Sequence, residues 1–306
     1  MRIAVIGAGA MGSIYGGHLS VNNEVFLVDT NEAVVSQINE KGLTLEENGK
    51  DNLYHPRALT DTSKEAPMDL VILFVKALFS KAALSGNSSL IGPETYLMTL
   101  QNGSGHEDIL QNFAPLNRII IGTTNDNGAV LGPGHVRHGG EGETNIGMLV
   151  PDEKGFLPKL KETMDACGFK AEIRDNIQQL IWDKMFTNVS LSAVTALLSC
   201  TMGYPTRNEY AFAMVEQLVR EAAAVARGMG LMAEEGTLLE KVRKTSEGSP
   251  NGITSICADI RAGRKTEVET ISGSVVRAAE KCGVPAPTHR FVVNMIHALE
   301  DMPKNS

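Results

Sequence analysis

Ile3-Ala4-Val5-Ile6-Gly7-Ala8-Gly9-Ala10-Met11-Gly12 sets a short apolar run directly ahead of three glycines spaced as GxGxxG. A second apolar run, Glu24-Val25-Phe26-Leu27-Val28, closes on Asp29. Strand, glycine turn, helix start and a second strand ending in an acid are the parts of a dinucleotide-binding fingerprint, in the order such a site needs them. Gly7 makes the tight turn, Gly9 lets backbone approach a pyrophosphate, and Gly12 lets the helix lie close to the strand. Ala8, Ala10 and Met11 complete the loop. A helix N-terminus carries N–H groups without intrahelical partners and the positive end of the helix dipole, and both suit a phosphate. The stretch predicts a nucleotide-binding Rossmann unit contacting its cofactor through residues 7–12 and Asp29.

Composition bounds the rest. The chain has 306 residues, 42% hydrophobic and 21% charged, which fits a globular protein of about two domains. A net charge of −8 argues against a nucleic-acid-binding surface. Cys167, Cys200, Cys257 and Cys282 show no CxxC pairing, so they read as reduced thiols of a cytoplasmic protein. Arg2 ahead of an apolar run imitates a signal peptide, but four residues before the glycines are too few, and the run belongs to the first strand. No stretch reaches the roughly 18 apolar residues of a membrane span.

The first half alternates β-rich runs with helical patterns, as a mostly parallel, doubly wound sheet does. Strands are expected at 2–6, 24–28, 70–75, 96–100 and 118–122. Leu70 to Val75 lacks polar alternation and should be buried on both faces. Between 128 and 150 the chain turns glycine-rich and then returns to a short apolar segment near 145–150, which fits hairpin-like strands extending this sheet. A helix at 156–167 and a strand at 170–173 complete a domain of residues 1–175. From 176 to 306 the pattern predicts an all-α domain: a long helix from 177 to 198, then helices at 208–229, 234–246, 251–262, 267–282 and 288–300. Residues 301–306 are expected to fray.

In this fold class ligands lie beyond the carboxyl ends of the strands. Lys76, Asn102 and the segment Thr123 to Gly128 fall there, so Lys76, Asn102 and Gly128 are candidate cofactor-lining positions. In the helical half, Lys184 and Asn188 stand at i and i+4 on one helix face, among Trp182, Met185, Phe186 and Val189. A lysine in so apolar a helix is partly desolvated or snorkels. Asp183 is expected to be a solvated neighbour. Thr266-Glu267-Val268-Glu269 has the spacing of a capping box, which would occupy Glu269 and place Glu267 in a first helical turn. The histidines (18, 55, 106, 135, 138, 289 and 297) form no coordinating spacing, so no metal site is expected. His135 and His138 are read as loop residues, and His106 as a solvated loop residue.

With these residues in view the chain resembles the ketopantoate reductase (2-dehydropantoate 2-reductase) family nearly end to end. The likeness rests on the order of residues 7–12, Val75-Lys76, Leu100-Gln101-Asn102-Gly103, Trp182-Asp183-Lys184 with Asn188, and Asp259-Ile260-Arg261 before Thr266-Glu267. It implies a Rossmann domain joined to a helical domain with a small 2-oxo acid bound in the cleft between them. Lys184 matches the family's catalytic lysine, Glu267 its carboxylate beside cofactor and substrate, and Asn102 its amide near both. Asn188 and Ser255 match substrate-binding positions, and Lys76 the lysine of the nicotinamide site. The implied reaction is reduction of ketopantoate to D-pantoate in pantothenate biosynthesis, with NAD(P)H.

The chain departs from the family at two places. NADPH-using members generally carry a basic residue after the second strand, whereas Asp29-Thr30-Asn31-Glu32 is acidic and favours NAD(H) over NADP(H). Past the substrate-binding asparagine the family commonly has a second asparagine and a proline; Ser192 and Ala193 stand there, and Ser192 is carried as a substrate-binding candidate. The Asp29 ending and Asn102-Gly103…Gly105-His106-Glu107-Asp108 are similar to the NAD-dependent D-2-hydroxyacid (D-mandelate) dehydrogenase branch, which is the alternative function. A non-catalytic nucleotide sensor is the second. A homodimer through a helical face is left open.

Overall fold

The computed structural model describes residues 1–140 and 142–302. The chain divides into two compact units: residues 1–101 with 106–177, and Asn102–Gly105 with the chain from Gln178 onward. The expectation that the tail frays bears mostly on 303–306, which lie outside the described residues.

The first unit runs β1 (Arg2–Ile6), α1 (Ala10–Leu19), β2 (Glu24–Val28), α2 (Glu32–Lys41), β3 (Leu43–Glu47), β4 (Lys50–Tyr54), β5 (Arg57–Leu59) and β6 (Leu70–Leu73). It continues through α3 (Ser80–Gly86), β7 (Tyr96–Thr99), α4 (His106–Leu110), β8 (Ile119–Thr124), β9 (Asn127–Gly132), β10 (His135–Gly140), β11 (Glu143–Gly147), α5 (Phe156–Asp165) and β12 (Lys170–Ile173). The main sheet has the order β12-β11-β8-β7-β6-β1-β2-β5. From β5 to β8 the pairs are parallel; β11 runs antiparallel to β8. That six-strand order is the doubly wound one, whose direction of progression reverses between β1 and β6, where ligands bind. Strands β1, β6 and β7 are buried almost throughout, as apolar runs without alternation require.

β11, at the apolar segment, extends this sheet as expected, but the glycine-rich residues ahead of it do not. β9 and β10 form a hairpin that pairs with the β3–β4 hairpin in a separate sheet of order β4-β3-β10-β9. Its residues crowd α1: a Cβ on Gly128 would lie 2.6 Å from Ile14 Cδ1, and one on Gly17 would meet Leu45 and Leu43. Only β11 of the 128–150 stretch joins the main sheet.

The second unit contains α6 (Ile177–Thr187), a π-helical turn (Asn188–Ser192), α7 (Ala193–Leu197), α8 (Glu209–Gly228), α9 (Glu235–Gly248), α10 (Ser255–Arg261), α11 (Ser272–Cys282) and α12 (Pro287–Glu300). The expected single helix over 177–198 is thus interrupted by a π turn. Ser190 Oγ donates to Phe186 O at 2.8 Å and Thr195 Oγ1 to Leu191 O at 2.7 Å, satisfying carbonyls near the irregular turn. Trp182, Met185, Phe186 and Val189 enter one core with α8, α10, α11 and α12. The expected helix at 251–262 shortens to 255–261.

The capping box does not form. Thr266 gives both its N–H (2.8 Å) and its hydroxyl (2.7 Å) to Glu300, and Glu269 pairs with Arg277 and His297. Residues 267–271 fold as a turn, and α11 starts at Ser272, so Glu267 is not in a helical first turn.

Candidate active site

In the first unit, the fingerprint loop sits at the reversal between β1 and β6. Gly7 has φ of +104°, and a Cβ there would lie 2.9 Å from Val75 N. A Cβ on Gly12 would fall 1.7 Å from Gly7 O, so both glycines are demanded by close packing. Gly9 differs. Its φ and ψ are −71° and −166°, ordinary extended values, and a Cβ there meets no atom within 4 Å. The open side of the Gly9 backbone at the start of α1 is a cradle into which a phosphate group fits. Ala8 N–H donates to Asp29 Oδ2 at 2.7 Å and Asn31 N–H to Oδ1 at 2.9 Å. Each carboxylate oxygen keeps further lone-pair capacity for a ribose hydroxyl. Glu32 and Asp61, beyond the ends of β2 and β5, add negative charge. These residues fit a dinucleotide.

Lys76 is half-buried at the start of a short 3₁₀ turn, with Phe79 N–H bonded to its carbonyl. A residue that sequence reasoning passed over holds this segment. Gln101 Nε2 donates to Val75 O at 2.5 Å and to Ser80 Oγ at 3.1 Å, while Thr99 donates to Gln101 Oε1 at 2.8 Å. One side chain thereby ties the end of β7 to the chain after β6. Its signal was a polar residue closing a core strand. Gly128, carried as a cofactor contact, lies in β9 and is explained by its approach to Ile14 and Ala10.

The remaining candidates belong to the second unit. Asn102 is exposed on a loop that Ser104 N–H fastens to Thr270 O at 3.0 Å. A Cβ on Gly103 would lie 2.0 Å from that same oxygen, so this loop must pass the 267–270 turn at glycine distance. Glu267 is half-buried in the turn, its carbonyl accepting from the N–H groups of Thr270 and Ile271. Lys184 and Asn188 are half-buried on α6 and the π turn. Ser274 Oγ donates to Met185 Sδ at 3.3 Å, which sets α6 beside the first turn of α11. Burial holds the Lys184 ammonium below lysine's ordinary pKa. Ser192 is buried and Ser255 exposed. Thr254, just ahead of Ser255, bonds Thr195 at 2.8 Å and so joins α10 to α7. Asp183 is half-buried and accepts from Gln179 at 2.9 Å, so it is not simply solvated. His106 is buried at the start of α4 rather than solvated, and His135 and His138 lie on β10 rather than in a loop.

The family model described as "Ketopantoate reductase PanE/ApbA" matches residues 3–151, and its C-terminal companion matches 176–300. This chain belongs to the ketopantoate reductase family. It is 31% identical to the 2-dehydropantoate 2-reductase of Lactococcus lactis, with 99% of each chain covered. It is 30% identical to that of Streptococcus pyogenes serotype M6, over 98% of each. Among solved structures, D-mandelate dehydrogenase with NADH and anilino(oxo)acetate superposes with a TM-score of 0.88 at 32% identity, covering 98% of both chains. The PanE/ApbA family ketopantoate reductase from Ralstonia eutropha gives 0.87 at 28%, over 98% of this chain and 99% of that one. Membership implies a nicotinamide cofactor. Among the described residues no helix is long and apolar enough to cross a membrane.

Proposed function

We propose that this ketopantoate reductase family member reduces a small 2-oxo acid, foremost 2-dehydropantoate to pantoate, and that it prefers NADH. The observation that carries the reading is a half-buried lysine, Lys184, whose ammonium burial makes more acidic, on the helix that also bears Asn188. Gly7, Ala8, Gly9, Ala10, Met11, Gly12, Asp29 and Lys76 would hold the dinucleotide, which when bound supplies the hydride to the carbonyl carbon. The Lys184 ammonium stabilises charge gathering on the carbonyl oxygen and transfers a proton to it, leaving an amine that is reprotonated from solvent. A desolvated ammonium gives up that proton more readily than an exposed one. Glu267 orients the ammonium; Asn102, Asn188, Ser192 and Ser255 hold the polar groups of the acid. Asp29, Glu32 and Asp61 accept a ribose diol and repel a 2′-phosphate dianion.

Lys184→Ala should lower kcat by at least about 10²-fold, the lower end of general-acid contributions. Near-normal turnover would remove Lys184 from the mechanism. NADH oxidation with ketopantoate, 2-oxoisovalerate and phenylglyoxylate distinguishes the substrates. The superposition on D-mandelate dehydrogenase at 0.88 supports a second reading, an aromatic or branched 2-oxo acid; preferential turnover of phenylglyoxylate would select it. No turnover across the panel would leave a nucleotide sensor. A clear kcat/KM preference for NADPH would refute the Asp29 argument.

A further inference from the structure

The last turn of α1, with β3 and β10, brings together three side chains that no part of the reductase reading uses. Glu47 Oε1 lies 2.6 Å from His18 Nε2 and 3.1 Å from His138 Nδ1. Potential ligand atoms of these three residues fall within 4.8 Å of one another. All three side chains are largely sheltered, with 16%, 12% and 6% of the His18, Glu47 and His138 side chains exposed.

The outer nitrogens decide what the inner ones can be. His18 Nδ1 lies 3.2 Å from Cys167 O, a backbone carbonyl that can only accept, so this nitrogen carries a proton. His138 Nε2 lies 3.4 Å from Asp126 Oδ1. Asp126 is itself held as an acceptor by Gly142 N–H (2.7 Å) and the Thr124 hydroxyl (2.9 Å), with the Tyr15 hydroxyl at 3.2 Å. His138 Nε2 is therefore also a donor. With both outer nitrogens protonated, each neutral ring points a lone pair at the same carboxylate oxygen. Three electron-rich atoms converging at these distances need positive charge among them, from added protons or from a cation.

The surroundings match a metal centre. A ligating histidine almost always gives its other N–H to a carbonyl or carboxylate, which fixes its tautomer and aim. His18 and His138 do this with Cys167 and Asp126. The second Glu47 oxygen is held by Asn52 Nδ2 at 2.9 Å and by the Tyr54 hydroxyl at 3.1 Å. His18 also stacks on Tyr54, with ring centroids 5.4 Å apart. Tetrahedral zinc at about 2.1 Å from each donor separates ligand atoms by about 3.4 Å, so Glu47 Oε1 must draw back by about 0.8 Å from His18 Nε2 and about 0.3 Å from His138 Nδ1. Imidazole and carboxylate donors suit zinc and other late first-row divalent ions rather than magnesium or calcium.

We propose that His18 Nε2, His138 Nδ1 and Glu47 Oε1 bind one divalent transition-metal ion, a zinc-type site that joins the β3–β4 and β9–β10 sheet to α1. Its role is structural, and water completes the coordination.

The test uses the full-length protein, freed of metal with a chelator and dialysed, and titrated with Zn²⁺ by calorimetry at neutral pH. One ion per chain is expected with Kd at or below about 10 μM, and a Tm that rises by several degrees at excess Zn²⁺. His18→Ala and His138→Gln should each weaken binding by at least about tenfold. Asp126→Asn, which touches no ion, should weaken it by about 10–100-fold, as loss of an outer partner does. Two variants of different kinds guard against misfolding, checked by the Tm without metal. His135→Ala serves as control: that residue faces Glu46 and Asp51 in a separate, more exposed group and should leave the titration unchanged. Co²⁺ should give visible absorption with wild type and none with His18→Ala. Absence of saturable Zn²⁺ binding by wild type overturns the proposal and leaves a protonated histidine–carboxylate network. Equal binding by the His18 and His138 variants, or binding abolished by His135→Ala, overturns it as well.

Discussion

Replacing Gly9 and Gly12 by alanine in turn separates a glycine kept for a ligand from one kept for packing. At Gly12 the new Cβ falls 1.7 Å from Gly7 O, where real Cβ contacts do not fall under 3.0 Å. The start of α1 or the turn after β1 must retreat by more than an ångström, against strands buried on both faces. Overpacking of this kind costs about 1–3 kcal/mol, which for a chain of this size lowers Tm by roughly 2–5 °C. At Gly9 the new Cβ meets nothing, and the backbone angles suit alanine. The ligand-free Tm of Gly9→Ala should stay within about 1–2 °C of wild type or rise slightly, since alanine restricts the unfolded chain. In the proposed cofactor site, however, its methyl group stands where backbone approaches a pyrophosphate, so NADH affinity should drop at least about tenfold, or 1.4 kcal/mol. Differential scanning fluorimetry without nucleotide and NADH fluorescence titration read the two effects separately. A Gly9→Ala protein that binds NADH within twofold of wild type would refute the placement of the cofactor on this loop.

Three other outcomes follow from named contacts. Burial lowers the Lys184 pKa, so the proposed mechanism, in which the ammonium donates the proton, requires kcat to fall on an alkaline limb centred below lysine's ordinary value of about 10.4. Lys184→Arg should abolish that limb at a reduced rate; an unchanged limb would assign it to another group. His297 has a raised pKa from its bonds to Glu269 and Glu300, so its pairing stabilises fully below the unfolded value of about 6.5 and is lost as pH rises through the folded one. His297→Ala should therefore lower Tm at pH 5.5 but hardly at pH 9, by an amount near 0.5 kcal/mol because the ring is 41% exposed; equal losses at both pH values would contradict this. Glu300→Ala leaves the N–H and hydroxyl of buried Thr266 without their acceptor and should cost about 1–3 kcal/mol in urea unfolding, with Glu300→Gln recovering part of it.

The fold was legible where one local pattern dictates structure and obscure where a distant partner does. β1, β2, β6, β7 and β8 are continuous apolar runs because both faces of a parallel sheet are covered, and such runs stand out in any window of sequence. The β3–β4 hairpin was also written locally and passed over. Leu43-Thr44-Leu45 alternates, and Asn48-Gly49 is the strongest short hairpin signal, realised here with φ of 52° and 76°. The 266–269 segment shows the opposite case. Its spacing was right for a capping box, but Glu300, 34 residues later, takes both Thr266 donors. No window of local sequence contains that competitor.

The candidate site divides along the same line. Residues 7–12 and Asp29 are bound to one another within 22 residues, so spacing alone could announce them, and Ala8 N–H does bond Asp29. Lys184 and Asn188 stood out as an i, i+4 pair on an apolar helix, but Ser255 and Glu267 lie in other segments, and likeness to a family is what joined the four into one site. The structure adds what spacing could not: burial that holds the Lys184 ammonium below lysine's ordinary pKa, and a π turn starting at Asn188. An α-helical period advances about 100° per residue, and a π turn advances less, so a regular 3.6-residue count misplaces the faces beyond Asn188. Ser192, carried as a candidate because it stands where the family commonly has its second asparagine, is 4% exposed at the end of that turn. The same substitution of serine for the family's usual asparagine, in a turn whose phase is already displaced, makes Ser192 the first place to look for what sets substrate size. Ser192→Asn should change the ranking of ketopantoate against phenylglyoxylate if the residue lines the acid, and leave that ranking intact if it serves packing alone.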